Sequence, residues 1–458
     1  MKNLVGVLIP FIILFAVTGC VKSEDPQDLN QVIYDINEEH KGIEQFAGDY
    51  ENYMPSDREI SSYISNYRYN REKTYNGNTP LTIEHAEQDV DILFEVFRSN
   101  YSWYYFYGGD SKFQESKSNI LEELKAVDRI TCEALEDILI RNLSFIEDGH
   151  FAINKNRENV TIPFFFREMG FVKTKTGYKA KDGRKVVSVE NHEDLDELFR
   201  RSISESGEII YYPIVLEKRE FYDCLNEEQI CSETLTIKFS DNSVETLIAE
   251  PYKIYVDINS SNNTFMEKDG IPIIITRGFD YRNGGNAFAT SGINYKEEPI
   301  TILDIASNLG GDGQIPFDWL EQYTGEKIPS NSLVYHLTGR RIINEQSDQF
   351  VEHDNILILI TGKYTASAAE LLIDKVYNLE NSMIIGENTM GAIKGGDPVR
   401  MQLPNSNISL TIPSSAIFLP EDNEYFQELR GFYPDFWVPA AEAQDAAIRL
   451  VHFYEMTK

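Results

Sequence analysis

Apolar residues recur along this chain in three different patterns, and each pattern predicts a different kind of structure. The first is a helical face formed by Ile83, Ala86, Val90, Leu93 and Phe97. Thr82 stands directly before it, where a hydroxyl can cap the helix. Two more helical stretches follow near residues 112–124 and 132–143. Residues 80–150 are therefore predicted to form a helical N-terminal domain.

The second pattern is short and alternating, and it occupies residues 151–255. It is clearest over residues 233–239, where apolar and polar side chains change places at every position, as in a half-buried strand. Further strands are predicted over residues 159–166, 185–189 and 208–216, with one helix near residues 194–202. This segment has the size of one β-rich middle domain.

The third pattern alternates whole strands with whole helices between residue 265 and the end of the chain. The predicted strands are 271–276, 301–305, 356–361, 383–386 and 408–412, and the predicted helices are 317–323 and 367–379. Such alternation predicts an α/β layered core over residues 265–458. In such a core the chemistry is expected on loops at the strand ends.

The first twenty residues have the pattern of an export signal. Lys2 precedes an uncharged apolar run over residues 4–17, and the run closes on Val17-Thr18-Gly19-Cys20. Small residues before a lone cysteine resemble a bacterial lipobox. The resemblance implies cleavage before Cys20 and lipid attachment to its thiol, which would leave the protein anchored outside the cytoplasmic membrane. An uncleaved signal anchor is the alternative, and the acidic residues 21–79 are interpreted as a spacer with some helix.

Charge and cysteine content exclude some classes of function. The formal net charge of −32 argues against binding to a nucleic-acid backbone. Cys224 and Cys231 can close a small disulfide loop in an oxidising envelope, while Cys132 is expected to be a small buried apolar residue. The sequence has no His-Glu-x-x-His motif and no paired-cysteine zinc pattern. We therefore predict neither a bound metal nor a cofactor.

Ser367 is the most informative candidate for chemistry. It follows the apolar strand 356–361 closely and opens the helix Ser367-Ala368-Ala369-Glu370-Leu371-Leu372. The first N–H groups of a helix have no partner within it, so a serine placed there can be a nucleophile beside an oxyanion site. Ser367 and Glu370 also have the spacing of a capping box, in which the hydroxyl only satisfies a backbone donor. Taken alone, this window favours the cap.

Four other segments favour a catalytic serine over a helix cap. They are Asp148-Gly149-His150, the strand and turn ending in Gly310-Gly311, the block Gly386-Glu387-Asn388-Thr389-Met390-Gly391, and the stretch from Glu428 to Asp435. In this order and spacing, the segments and the Ser367 turn resemble the S41 family of serine peptidases, the C-terminal processing and tricorn-type proteases. The resemblance implies a crotonase-like core of ββα units and peptide hydrolysis through an acyl-enzyme. It also places a degenerate PDZ-like module in the β-rich middle domain.

The resemblance assigns roles to several residues of the core. Ser367 matches the nucleophile, and the N–H of Ala368 with one from Gly310 or Gly311 would form the oxyanion hole. Processing proteases carry a lysine as general base at the position of Ala392, so that dyad is absent here. Lys394, two residues later, is an alternative base if the loop is rearranged.

Tricorn-type members use an upstream histidine instead. His150 matches that histidine and Glu428 matches the carboxylate that accompanies it, while Gly149 occupies the place of a serine in the tricorn type. An imidazole activates a serine hydroxyl by accepting its proton, and a third group orients the imidazole. The predicted triad is therefore Ser367, His150 and Glu428.

The predicted function is a lipid-anchored serine endopeptidase acting on extracytoplasmic peptides or unfolded proteins. The competing prediction is an inactive relative that serves as a peptide-binding or scaffolding protein and keeps Ser367 only as a helix cap. Ala392 and Gly149 are the two residues that keep this alternative open. The oligomeric state stays open as well.

Overall fold

Helices and mixed sheets make up the described part of the chain, which in this computed structural model is residues 28–54, 58–60, 63–154, 159–220, 233–257, 262–342, 350–420 and 425–455. Cys20, Cys224 and Cys231 lie outside these ranges. Helices α1 to α9 span, in chain order, Leu29–His40, Ile83–Asn100, Gly109–Lys125, Cys132–Leu143, Leu195–Leu198, Gly285–Ser291, Gln314–Thr324, Ala368–Val376 and Ala443–Glu455. Among the described residues, no helix has both the length and the apolar character needed to cross a membrane.

The strands fall into several sheets. Strands β1 to β23 span, in chain order, Pro80–Thr82, Arg129–Thr131, Ala152–Ile153, Asn159–Phe165, Phe171–Thr174, Gly177–Ala180, Val186–Val189, Phe199–Ile203, Ile209–Glu220, Thr234–Phe239, Val244–Ile248, Asn263–Lys268, Ile271–Thr276, Ile300–Asp304, Leu333–His336, Arg341–Ile342, Ile356–Thr361, Ser382–Gly386, Gly395–Gln402, Ser409–Phe418, Phe426–Gln427, Gly431–Phe432 and Phe436–Trp437.

The central sheet has the strand order β12-β13-β14-β17-β18-β23, and every pair except β12–β13 is parallel. Strands β14 and β18 are buried along their whole length, as expected where helices cover both faces of a parallel sheet. Side chains from α6, α7 and α8 pack on one face, and side chains from α1 and α9 pack on the other. The predicted α/β fold class is confirmed.

Helix α1, in the segment predicted to be a spacer, packs on this core. Leu29, Val32, Ile33 and Ile36 of α1 have the spacing of one helical face and are buried against the central sheet. At the end of the helix, His40 Nε2 lies 2.8 Å from Asp435 Oδ1, and both side chains are buried. The apolar stripe of α1 anchors this part of the acidic segment to the core.

The middle of the chain forms two sheets, with the orders β4-β9-β5-β6 and β11-β10-β7. Their shared core also includes Ala366, Met390 and Ala392, which belong to loops of the α/β part. The predicted helix at residues 194–202 is a single turn, α5, because the chain then continues as β8 in antiparallel pairing with β9. Strand pairing outweighs local helical periodicity at this point.

The helical part before residue 150 packs on a further sheet, β16-β15-β20-β19. Thr82 caps α2 as predicted, because its hydroxyl accepts the N–H of His85 at 3.2 Å. Directly after His150, strand β3 pairs antiparallel with β20. This pairing fixes the histidine segment against the C-terminal half of the chain.

Candidate active site

Three loops meet at the carboxyl ends of adjacent parallel strands in the central sheet. Residues 305–311 follow β14, residues 362–367 follow β17, and residues 387–391 follow β18. Parallel strands deliver the loops after their carboxyl ends to the same edge of the sheet, where open α/β sheets bind their ligands. Segments that are distant in sequence are thereby brought together around Ser367.

Ser367 sits on a sharp turn between strand and helix. Its backbone has φ of 58° and ψ of −123°, which is uncommon for a residue with a side chain and is found where the surrounding structure enforces it. A capping box is present at the start of α8, and the Ser367 N–H donates to Glu370 Oε2 at 2.9 Å. The hydroxyl does more than cap, because Ser367 Oγ lies 3.0 Å from His150 Nε2.

His150 is held in place through its backbone and the preceding aspartate. The N–H of His150 donates to Asp148 Oδ1 at 2.9 Å, and Tyr101 donates its hydroxyl to Asp148 Oδ2 at 2.9 Å. The Asp148 carboxyl is buried, and this burial is the main reason why its pKa is raised to about 6. The structure thus places the imidazole beside Ser367, 217 positions away in sequence.

Glu428 reaches the same cluster but contacts backbone groups. Its Oε1 accepts the N–H of Gly149 at 2.8 Å, while its Oε2 accepts the N–H groups of Lys394 at 3.0 Å and Ile393 at 3.4 Å. Burial, and then the charge of the neighbouring Asp148, hold the pKa of Glu428 well above its usual range. Through the Gly149 N–H, this carboxylate fixes the peptide segment that carries His150.

The raised pKa of Asp148 predicts a pH dependence of folding stability. Because the pKa is higher in the folded protein than in the unfolded chain, the protonated carboxyl stabilises the fold, and this contribution is lost as the pH rises through about 6. Asp148→Asn has no carboxyl to deprotonate at this position, so it should not lose this stability as the pH rises. We expect the free energy of unfolding of the variant, relative to the parent, to increase by about 1 to 3 kcal/mol between pH 4 and pH 7.

Urea denaturation at a series of pH values measures this difference. Asp137→Asn, at a surface position of α4, is the control for loss of a carboxylate charge. A difference between Asp148→Asn and the parent that stays constant with pH would contradict the prediction.

The Lys394 ammonium contacts an aromatic ring, and its charge opposes the rise in the pKa values of Asp148 and Glu428. The Lys394 Nζ lies 5.0 Å from the centroid of the Phe106 ring, in a cation–π contact. Trp103 donates its ring N–H to the Lys394 carbonyl at 2.7 Å, which holds the backbone of the residue. Of the two candidate bases, His150 is therefore the one placed against Ser367.

The two residues that depart from the family pattern touch each other. A Cβ built on Gly149 would lie 2.7 Å from Cβ of Ala392, closer than real side chains approach. Ala392 in turn accepts the N–H of Ser367 on its carbonyl at 3.2 Å. Small residues at both positions let the histidine segment pack directly on the loop behind the serine.

The glycine turn after β14 packs on the other side of Ser367. A Cβ built on Gly310 would lie 2.8 Å from both Ser367 Cβ and the Ala368 nitrogen, so only glycine fits there. The Gly310 N–H already donates to Asn308 Oδ1 at 2.8 Å, and the Gly310 carbonyl accepts the N–H of Phe279. Because a trans peptide directs its C=O and N–H oppositely, the Gly311 N–H points away from Phe279. Gly311 and Ala368 are thus the better candidates for the oxyanion hole.

Glu370 has a larger role than the sequence indicates. Its carboxylate is fully buried, so its pKa is raised, and it accepts hydrogen bonds from four donors. The donors are the Thr389 hydroxyl and the N–H groups of Ser367, Gly391 and Ala392. Glu370 therefore joins the serine turn to the loop after β18. Its pairing with Thr389 could have been suspected, because both residues belong to the motif blocks, but their contact could not be read from spacing.

The sequence comparison agrees with this geometry. Residues 286–438 match the model of Peptidase family S41. The matched segment includes the glycine turn, Ser367 and Glu428, and it leaves out His150. The chain thus carries a peptidase family S41 domain, which confirms the resemblance inferred from the motifs.

Solved structures of similar architecture are distant in sequence, and no curated protein matches the chain. Mature CPAF is 12% identical with a TM-score of 0.43, over 82% of this chain and 96% of that chain. A putative peptidase from Parabacteroides merdae is 15% identical with a TM-score of 0.40, over 81% and 97% respectively. The photosystem II D1 C-terminal processing protease is 13% identical with a TM-score of 0.37, over 78% and 93%. The assignment to peptidase family S41 depends on the match over residues 286–438 and not on the similarity to these solved structures.

Proposed function

We propose that the protein is a serine endopeptidase that hydrolyses peptide bonds through an acyl-enzyme on Ser367. The observation that carries this proposal is the 3.0 Å distance between Ser367 Oγ and His150 Nε2 at a strained turn between strand and helix. A serine that only capped a helix would need neither this backbone conformation nor an imidazole at hydrogen-bond distance.

The reaction follows from the positions of these groups. His150 Nε2 accepts the hydroxyl proton as Ser367 Oγ bonds to the carbonyl carbon of the substrate. The N–H groups of Ala368 and Gly311 stabilise the negative charge that develops on the carbonyl oxygen. The peptide C–N bond then breaks, His150 gives its proton to the leaving amine, and water later hydrolyses the acyl-enzyme by the same path.

Asp148 and Glu428 act on this chemistry through the backbone. Asp148 accepts the N–H of His150 itself, and Glu428 accepts the N–H of Gly149 directly before it. We assign both as positioning residues that hold the imidazole against Ser367. The orienting role expected of Glu428 would thus be exerted on the peptide segment that bears the ring.

The substrates we propose are extracytoplasmic peptides or unfolded proteins, reached by an enzyme anchored through a lipid on Cys20. The lipobox-like sequence before Cys20 supports this location. Mass spectrometry of the mature protein should find a lipid-modified N-terminal Cys20. An intact Met1 would contradict it and favour the signal anchor.

Reaction with a fluorophosphonate, together with hydrolysis of unfolded casein, tests the proposed function. We expect one covalent adduct per chain, located on Ser367 by peptide mapping, and progressive cleavage of casein. Heat-denatured protein is the control, because an unfolded serine hydroxyl has no activating base. Binding of casein without adduct or cleavage would favour the scaffolding function instead.

A further inference from the structure

Lys363 is a buried cation close to the site that the predicted triad does not use. It follows β17 by two positions, precedes Ser367 by four, and has no exposed surface. Its ammonium donates to the carbonyl oxygens of Thr389 at 2.5 Å, Met390 at 3.4 Å and Arg430 at 3.4 Å. Burying an ammonium group is unfavourable, and an apolar side chain of similar volume would pack at lower cost. The charge therefore needs an explanation other than stability.

The three carbonyls belong to two different segments of the site. Thr389 and Met390 lie in the loop after β18, directly before the residues whose N–H groups bind Glu370. Arg430 lies in the turn that begins at Glu428. One ammonium group thus joins the loop behind the serine to the turn whose carboxylate binds Gly149.

Neighbouring side chains strengthen the same connection between the loop after β18 and the turn that begins at Glu428. Asn388 donates its side-chain amide to the carbonyls of both Arg430 and Thr161. Buried Glu387 lies close enough for the positive charge of Lys363 to oppose the rise in its pKa that burial causes. The ammonium is thus surrounded by oxygen atoms of both segments and by a nearby carboxylate.

An ammonium that donates to carbonyls is not a base. It has three donors and no lone pair, so in this state it cannot accept a proton from a serine. The action of Lys363 on Ser367 is therefore indirect.

We propose that Lys363 is a positioning residue, which holds the loop after β18 and the turn at residues 428–431 together and so keeps Ser367 and His150 in register; this rests on the proposed function. A displacement of about 1 Å in such a pair can cost about 100-fold in rate. Removing the ammonium should therefore slow the chemical step more than it weakens substrate binding.

Chemical rescue provides the sharpest test. Lys363→Ala removes the equivalent of a propylammonium group, and we expect kcat for casein peptides to fall about 100-fold with little change in KM. Propylammonium should raise kcat of the variant at least about ten-fold. 1-Propanol, which has the same shape without the charge, should not raise it. Neither compound should change the parent enzyme.

Lys363→Met, which keeps the volume and loses the charge, covers the case in which the alanine variant fails to fold. Its fluorophosphonate reaction should be slower at saturation, with the final labelled fraction unchanged, whereas partial unfolding would lower the fraction and leave the rate per site unchanged. Lys375→Met is the matched control, because Lys375 of α8 also donates to a carbonyl, that of Ile328 at 2.6 Å. We expect it to react like the parent.

Two outcomes would overturn the proposal. If the parent reacts and Lys363→Met reacts at the same rate, the positioning role is wrong and the proposed function stands. If the parent fails both to react and to cleave casein, the proposed function itself fails and the positioning role falls with it.

Discussion

Replacing Ser367 with alanine is expected to lower the hydrolysis of unfolded casein by at least about 10⁴-fold, because the acyl-enzyme can no longer form. The variant should keep its fold, since the Ser367 N–H still donates to Glu370 and only a hydroxyl is lost. The measurement is the initial rate of casein cleavage, with circular dichroism to confirm that the protein is folded.

Ser144→Ala is the control for this experiment. Ser144 also lies at the end of a helix and uses its hydroxyl to bond a backbone carbonyl, that of Arg141, at the surface. It should cleave casein at the parent rate. If Ser367→Ala and Ser144→Ala are equally active, Ser367 is a cap and the acyl-enzyme mechanism is excluded.

Replacing His150 with alanine should have the second largest effect, a loss of about 10³- to 10⁵-fold in kcat, because the hydroxyl then has no base within reach.

Glu428→Gln should lower kcat much less than His150→Ala does, since the Glu428 carboxylate acts through the Gly149 N–H and not on the proton that is transferred. Initial rates over a range of pH measure both effects.

Lys394→Met tests the alternative base in the same assay. Because the Lys394 ammonium lies over the Phe106 ring, we expect the variant to keep most of the parent activity. Near-normal activity of His150→Ala together with loss of activity in Lys394→Met would reverse the assignment of the base.

The sequence predicts the elements best where the local pattern and the tertiary environment agree. Helix Cys132–Leu143 and strand Ile271–Thr276 have the predicted bounds, because each has a clear period and a buried face. The helix predicted near residues 194–202 fails because pairing with a distant strand decides the conformation there. Some helix was predicted in the acidic segment 21–79, but the bounds and the buried face of α1 were not, since acidic residues separate the members of its short apolar stripe.

The candidate site divides in a similar way. Side chains with characteristic chemistry, such as Ser367 and His150, can be named from the order of the motifs. Residues that act on backbone groups of remote segments cannot, because a spacing does not show which carbonyl or N–H a side chain will meet. No motif or spacing in the sequence indicated a role for Lys363, and the backbone contacts of Glu428 became visible only in three dimensions.

The contact between Gly149 and Ala392 limits how this site can change over evolutionary time. Even one added carbon atom on Gly149 would lie 2.7 Å from both Cα and Cβ of Ala392. A serine or any larger residue at position 149 therefore requires the loop that carries Ala392 to move. Because the same loop accepts the N–H of Ser367 on the Ala392 carbonyl, that movement would be transmitted to the serine turn. Substitutions at position 149 should therefore be tolerated only together with a compensating change in the loop around residue 392.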